Sequence, residues 1–145
     1  MKRILYLSFY FEPDLCAGSF RNSPLAIELA KQLNGKAEVE VFTSMPNRYS
    51  TYNQTALQQE IRGNLIINRI EIPQHKSGLL DQVKSFNSYY SEVKKLTKKK
   101  KYDLVFATST PLTAGIPGIV ARWFRGKPFV FEVRDLWPEL PKAMG

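Results

Sequence analysis

Short apolar runs alternate along the chain with longer stretches in which apolar residues recur at helical spacing. Residues 4–9 form an apolar run of the kind found in a central parallel strand covered on both faces. A loop holding Glu12, Pro13, Asp14 and Gly18 follows. A helix is expected to begin near Asn22 or Ser23, with Pro24 in its first position, where a missing N–H costs nothing. Leu25, Ile27, Leu29 and Leu33 lie along it, and Asn34-Gly35 stops it. Residues 39–42 read as a second strand; residues 59–62 and 65–72 read as two more, joined by a hairpin-like turn at Gly63-Asn64.

Residues 79–99 read as a helix, because Leu79, Val83, Phe86, Tyr90 and Val93 share one stripe, widened by Leu80, Tyr89 and Leu96. Residues 104–107 predict a strand and residues 113–125 a helix despite Pro117, ended by Gly126. Residues 129–133 predict a last strand. Strands alternating with helices imply βαβ units, right-handed crossovers and an α/β, Rossmann-like, doubly wound and mostly parallel sheet. In such sheets ligands bind at the carboxyl ends of the strands. That rule selects four loops, residues 9–19, 43–52, 108–112 and 134–140, which hold most of the unusual residues of the sequence.

The 145 residues fit one domain, 1–145, and a chain of this length buries about two-thirds of its surface without disulfides or metals. One cysteine, Cys16, and one histidine, His75, exclude an internal disulfide and a Cys/His zinc cage. The absence of disulfides fits a reducing compartment. No apolar stretch approaches the ~20 residues that span a bilayer. The basic start before residues 4–7 imitates a signal peptide, but Ser8 interrupts the run, and Glu12, Pro13 and Asp14 follow with no small-residue cleavage site. Asp14 likewise argues against a lipoprotein site at Cys16.

Charge changes the picture only when it is located. The net charge is +8, yet residues 1–75 carry eight Lys/Arg against seven Asp/Glu, and residues 103–145 five against four. Residues 76–102 carry eight against two. One basic element suggests one anionic contact face rather than a nucleic-acid-binding surface.

Several chemistries fail on composition and spacing. A dinucleotide site needs Gly-x-Gly-x-x-Gly after the first strand and an acid ending the second, where Ala17-Gly18-Ser19 and Thr43-Ser44 stand instead. No Gly-Lys-Ser/Thr tripeptide exists for a P-loop, and His75 lies outside the four loops and reads as a surface residue. What remains is subtler. Ala17-Gly18-Ser19 leads towards a helix N-terminus, suited to an anion such as a diphosphate, or forms a tight turn with no ligand. Thr108-Ser109-Thr110-Pro111 presents hydroxyls before a helix, or simply caps it. Arg134, Asp135 and Glu139 close the last strand; such groups suit hydroxyl-rich ligands and phosphates, or make a salt-bridged turn.

Taken together, these loops resemble a family-4 retaining glycosyltransferase of GT-B fold. The likeness is carried by residues 4–14 with Ala17-Gly18-Ser19-Phe20-Arg21, then Thr43-Ser44-Met45-Pro46-Asn47-Arg48-Tyr49, Ala107-Thr108-Ser109-Thr110-Pro111-Leu112, and residues 131–139. It is strongest towards the fucosaminyltransferase-like branch of O-antigen and capsule assembly and covers essentially the whole chain in order. The resemblance implies the N-terminal, acceptor-binding domain of an enzyme whose second, nucleotide-sugar-binding domain is absent from these 145 residues, so that the chain alone is inactive. It implies Gly18, Ser19, Asn47, Arg48, Thr108 and Ser109 as substrate-binding residues and Asp135, Glu139 and Arg134 as catalytic ones. Many relatives carry a histidine where Arg134 stands. Arginine stays protonated near neutral pH, so Asp135, Glu139 or the leaving phosphate is the better candidate base.

The expected partners are a nucleotide-sugar, which is a substrate and not a cofactor, and a lipid-linked or saccharide acceptor; no cofactor, metal or nucleic acid is expected. The lysines Lys94, Lys95, Lys98, Lys99, Lys100 and Lys101 end the long helix. Part of that run compensates the helix dipole, but six in eight residues exceeds what capping requires. The surplus suits an anionic membrane surface, at about 1 kcal/mol per lysine. The expected location is cytoplasmic, peripheral on the inner face of the plasma membrane. The rival expectation is a stand-alone membrane-associated binding subunit that recruits a separate donor domain.

Overall fold

The computed structural model describes residues 1–46, 55–73, 78–109 and 112–134. Six strands form one sheet: β1 (Lys2–Leu7), β2 (Ala37–Ser44), β3 (Gln59–Arg62), β4 (Leu65–Ile70), β5 (Leu104–Thr108) and β6 (Phe129–Glu132). Their order is β3-β4-β2-β1-β5-β6, and every pairing is parallel except that of β3 with β4. The chain leaves central β1 towards β2, then returns to its other side at β5. Right-handed crossovers therefore place α1 (Ala17–Gln32) on one face and α2 (Leu79–Lys99) with α3 (Gly115–Arg125) on the other. This is the expected α/β, Rossmann-like, doubly wound sheet, and β1 and β5 flank its switch point.

Alternation along the strands sorts the core. Tyr6, Val39, Val41, Leu65 and Ile67 face α1, where they meet Ala26 and Ala30. Leu5, Leu7, Phe42, Val105 and Ala107 face the other helices, where Tyr89, Tyr90 and Val93 of α2 cover them. Phe9 stands edge-on to Tyr10, Phe86 and Tyr89 and closes the top of that layer.

Two helix starts, the covered part of one helix face and several strand ends depart from the sequence reading; β1, for one, runs over Lys2–Leu7 rather than residues 4–9. Helix α1 begins at Ala17, not near Asn22, so Pro24 lies inside it and costs it one backbone hydrogen bond. The buried residues Gly18, Ser19, Asn22 and Ser23 hold these early turns against the sheet, and that packing outweighs the lost bond. Helix α3 is preceded by a 3₁₀ turn over Leu112–Ala114, which puts Pro117 in the first turn of the α-helix proper. In the apolar stripe of α2, Leu80 and Val83 are exposed, while Phe86, Tyr89, Tyr90, Val93 and Leu96 are packed into the core. The hairpin is as expected, with Gly63 in the left-handed region at φ 62°.

Helix α3 approaches β6 closely because small residues face it. A Cβ on Gly118 would stand 1.9 Å from the Phe129 ring, whereas one on Gly115 would meet Phe131 at 3.6 Å, an ordinary contact. The Phe129 ring cannot retreat freely, since it stacks on Phe131 at 5.9 Å. Gly118→Ala is expected to cost about 1–3 kcal/mol through overpacking, and Gly115→Ala to be near neutral. Thermal melts of the two variants check this contrast.

Candidate functional site

The carboxyl ends of β1, β5 and β6 and the second turn of α1 meet at the switch point. Past its strand end, β1 is stitched to β2: the Thr43 and Ser44 hydroxyls donate to the Phe9 carbonyl at 3.0 and 2.8 Å. The Tyr89 hydroxyl lies beneath the carbonyls of Phe42 and Ser8 and shares its one proton between them. The Ser8 hydroxyl donates to the Tyr10 carbonyl at 2.8 Å. Asn22, buried on α1, donates from Nδ2 to Ser8 Oγ (2.6 Å) and to the Tyr10 carbonyl (3.2 Å). Its Oδ1 accepts a hydrogen bond from Arg134 at 3.2 Å. The backbone N–H of Arg134 donates to Ser109 Oγ at 2.8 Å, so the end of β5 holds the exit of β6.

An ionic cluster lies beside this junction. Thr108 donates to one Glu132 oxygen at 3.0 Å, and Arg21 pairs with the other. Burial by itself would raise the Glu132 carboxyl. Hydrogen bonds from Arg21 and Thr108, with the charges of Arg21 and Arg134, outweigh it and hold Glu132 below the usual carboxylate range. Tyr6 is wholly buried on the same face, and its hydroxyl has no hydrogen-bond partner among the described residues. Burial first, and then the Glu132 carboxylate, push its phenol well above the ordinary value, so it remains a neutral donor. The site thus combines one ionised carboxylate, two guanidinium groups and several hydroxyls. Guanidinium groups are the side chains best shaped to pair with carboxylates and phosphates.

Among the expected site residues, Thr108, Ser109 and Arg134 come together here. Thr108 and Ser109 do not cap the following helix; they bind Glu132 and Arg134, and the residue before α3 is Ala114. Gly18 and Ser19 are buried in the first turn of α1 rather than in a loop before it, and a Cβ on Gly18 would meet the Tyr10 ring at 3.1 Å. They pack the helix down, while Arg21 and Asn22, one turn later, reach β6. Asn47, Arg48, Asp135 and Glu139 lie outside the described residues. Tyr6, Ser8, Asn22 and Glu132 went unrecognised in the sequence. Placing the helix start at Asn22 hid that residue as a cap, and Tyr6 and Glu132 read as strand residues.

The lysine run is not uniform. Lys94, Lys95, Lys98, Lys99 and Lys101 are exposed, and Lys95 pairs with Glu92. Lys100 is different: it pairs with Glu40, which is buried in β2, and sits over the Phe42 ring at 5.0 Å. It fastens the fold and, unlike its exposed neighbours, is not free to join the expected membrane contact. Among the described residues, no helix is long and apolar enough to cross a membrane, and no His, Cys, Asp and Glu cluster could hold a metal ion.

No family model and no curated protein matches the chain. A crystal structure of the C-terminal domain of a hydrogenase from Pyrococcus furiosus is similar, with a TM-score of 0.51 and 15% identity over 90% of this chain and 91% of that one. The likeness is one of fold alone.

Two outcomes are expected from this geometry. The depressed Glu132 pKa means that its cluster stabilises the fold above the unfolded value of about 4.3, and that this contribution is lost as pH falls through the lower folded value. Glu132→Gln should therefore lower stability at neutral pH and flatten the decline below about pH 4.3, as read from melting temperature against pH. Lys100→Gln, which leaves the buried Glu40 carboxylate without its lysine, should cost about 1–3 kcal/mol. Lys99→Gln should stay within about 0.5 kcal/mol; denaturant titrations separate the two.

Proposed function

We propose that this chain is the acceptor-binding domain of a retaining glycosyltransferase of GT-B fold, acting in cell-surface polysaccharide synthesis. The sugar would pass from a nucleotide-sugar to a lipid-linked or saccharide acceptor, with a second domain supplying most of the nucleotide site. The observation that carries this reading is the convergence of Asn22, Thr108, Ser109, Glu132 and Arg134, four of them within the quoted motifs, at one sheet edge. Arg21, Glu132 and Arg134 keep part of their surface open and suit a sugar's hydroxyls and a phosphate, while Asn22, Thr108 and Ser109, buried and bonded within the fold, hold them in place. Arg134 remains a cation there and acts by binding charge, not by moving a proton. Asp135, Glu139 or the departing phosphate would take the acceptor proton. The exposed lysines at the end of α2 would hold the domain on the anionic inner face of the plasma membrane, where a lipid-linked acceptor resides.

The test is sugar transfer from a panel of nucleotide-sugars, by the isolated chain and by a protein in which a nucleotide-sugar-binding domain follows it. The isolated chain should transfer nothing and the longer protein should be active. In the active protein, Arg134→Ala should lower transfer roughly 10- to 100-fold, the value of a hydrogen bond to a charged group. Arg134→Lys should restore only part of it, because the planar fork is lost. Transfer by the isolated chain, or an unaffected Arg134→Ala enzyme, overturns the proposal. Acceptor binding without transfer by any longer form would favour a separate binding subunit instead.

A further inference from the structure

Helix α3 is built inside out. A helix packed on a sheet normally turns its large apolar residues inward and its polar ones outward. Here the buried positions are Gly115, Pro117, Gly118, Val120 and Ala121, all but Val120 small or compact. The outward positions include Ile116 (47% exposed), Ile119 (49%), Trp123 (82%) and Phe124 (72%). At 100° per residue Ile116, Ile119 and Trp123 fall within about 60° of one another, a continuous stripe opposite the face that meets β6. A monomer gains nothing from presenting this stripe to water, and exposed patches of this kind mark contact sites.

The surroundings point to what covers it. Helices α2 and α3 pack side by side, and Lys98 Nζ lies over the Phe124 ring at 5.4 Å. Arg125 donates to the carbonyls of Lys98 and Lys100, which ties the basic end of α2 to the apolar end of α3. Residues 115–125 contain Arg122 and Arg125 and no carboxylate. An apolar stripe carrying a tryptophan and bordered by lysine and arginine is the composition of a helix lying in the headgroup region of an anionic bilayer. An apolar protein partner would not require the basic border.

We propose that the outer face of α3 inserts into an anionic lipid surface, with Ile116, Ile119 and Trp123 in the acyl boundary and the exposed lysines of α2 on the headgroups. This deepens, and rests on, the reading of the lysine run as a membrane contact, by adding the apolar half of the surface. The orientation that follows places the sheet face carrying α2 and α3 towards the lipid.

The test uses phosphatidylcholine vesicles with and without phosphatidylglycerol. A Trp137→Phe protein leaves Trp123 as the sole tryptophan. Its fluorescence should shift to the blue and be quenched by acyl-brominated lipid in the anionic vesicles. Trp123→Ser and Ile119→Ser should each lower co-sedimentation roughly tenfold, as expected for a side chain partly withdrawn from water. Salt should remove only part of the binding. If salt or glutamine at Lys94, Lys98, Lys99 and Lys101 abolishes binding while Trp123→Ser changes nothing and bromine does not quench, the insertion is wrong and the lysine contact survives. Absence of any vesicle binding removes both. A dimer that dissociates in Trp123→Ser, without quenching, overturns the proposal in favour of a second copy. If the serine variants fail to fold, quenching of the folded Trp137→Phe protein decides.

Discussion

One buried side-chain amide, that of Asn22, holds the carboxyl edge of this sheet together. Both of its donors and its acceptor are engaged by groups far apart in sequence: Ser8 and Tyr10 after β1, and Arg134 after β6. A buried amide left unsatisfied costs about 1–3 kcal/mol per lost partner, so each of its neighbours is constrained by the other two. The constraint reaches further through Ser109, which binds the backbone of Arg134, and through Thr108, which binds Glu132. Arg134, held by Asn22 and Ser109, joins this buried junction to the Thr108–Glu132–Arg21 cluster beside it.

The two faces of the sheet are finished differently. On the α1 side, Ala26 and Ala30 let the helix settle onto Val39, Val41 and Ile67. On the other side, the large aromatic residues of α2 fill the layer over β1 and β5, and α3 comes in so close that glycine must face Phe129. With its inward positions given to small residues, α3 carries its large side chains outside. Close packing on one face and exposed apolar area on the other are thus two sides of one choice of residues.

The charges divide in the same way. Arg3, Glu38, Glu40 and Lys100 join β1 and β2 to the end of α2 and fasten the fold. Glu12, Glu60, Arg62 and Arg69 fasten the β3–β4 edge; the bond from Arg62 leads the forces that hold Glu60 below the usual carboxylate range. Arg21, Glu132 and Arg134 gather at the carboxyl edge, and the exposed lysines lie towards the basic end of α2. Net charge by itself would have assigned all of these to one surface property.

The alternation of apolar runs and helical stripes determined the class of fold, the six strands and the hairpin, because strand burial and helix amphipathicity are local patterns. The strand-end rule also named Thr108, Ser109 and Arg134 from loops distant in sequence, and the fold brings these three residues together. The start of α1 was not legible. Pro24 is a strong local signal for a first turn, and only the packing of Gly18, Ser19 and Asn22 against the sheet overrides it. Nor could Lys100 be told from its neighbours, since its partner Glu40 lies 60 residues away. The sequence does not say which side of α3 meets the sheet. Periodicity fixes which residues share a side of a helix, but the sheet decides which side it covers, and here the closest approach was open only to the glycine side.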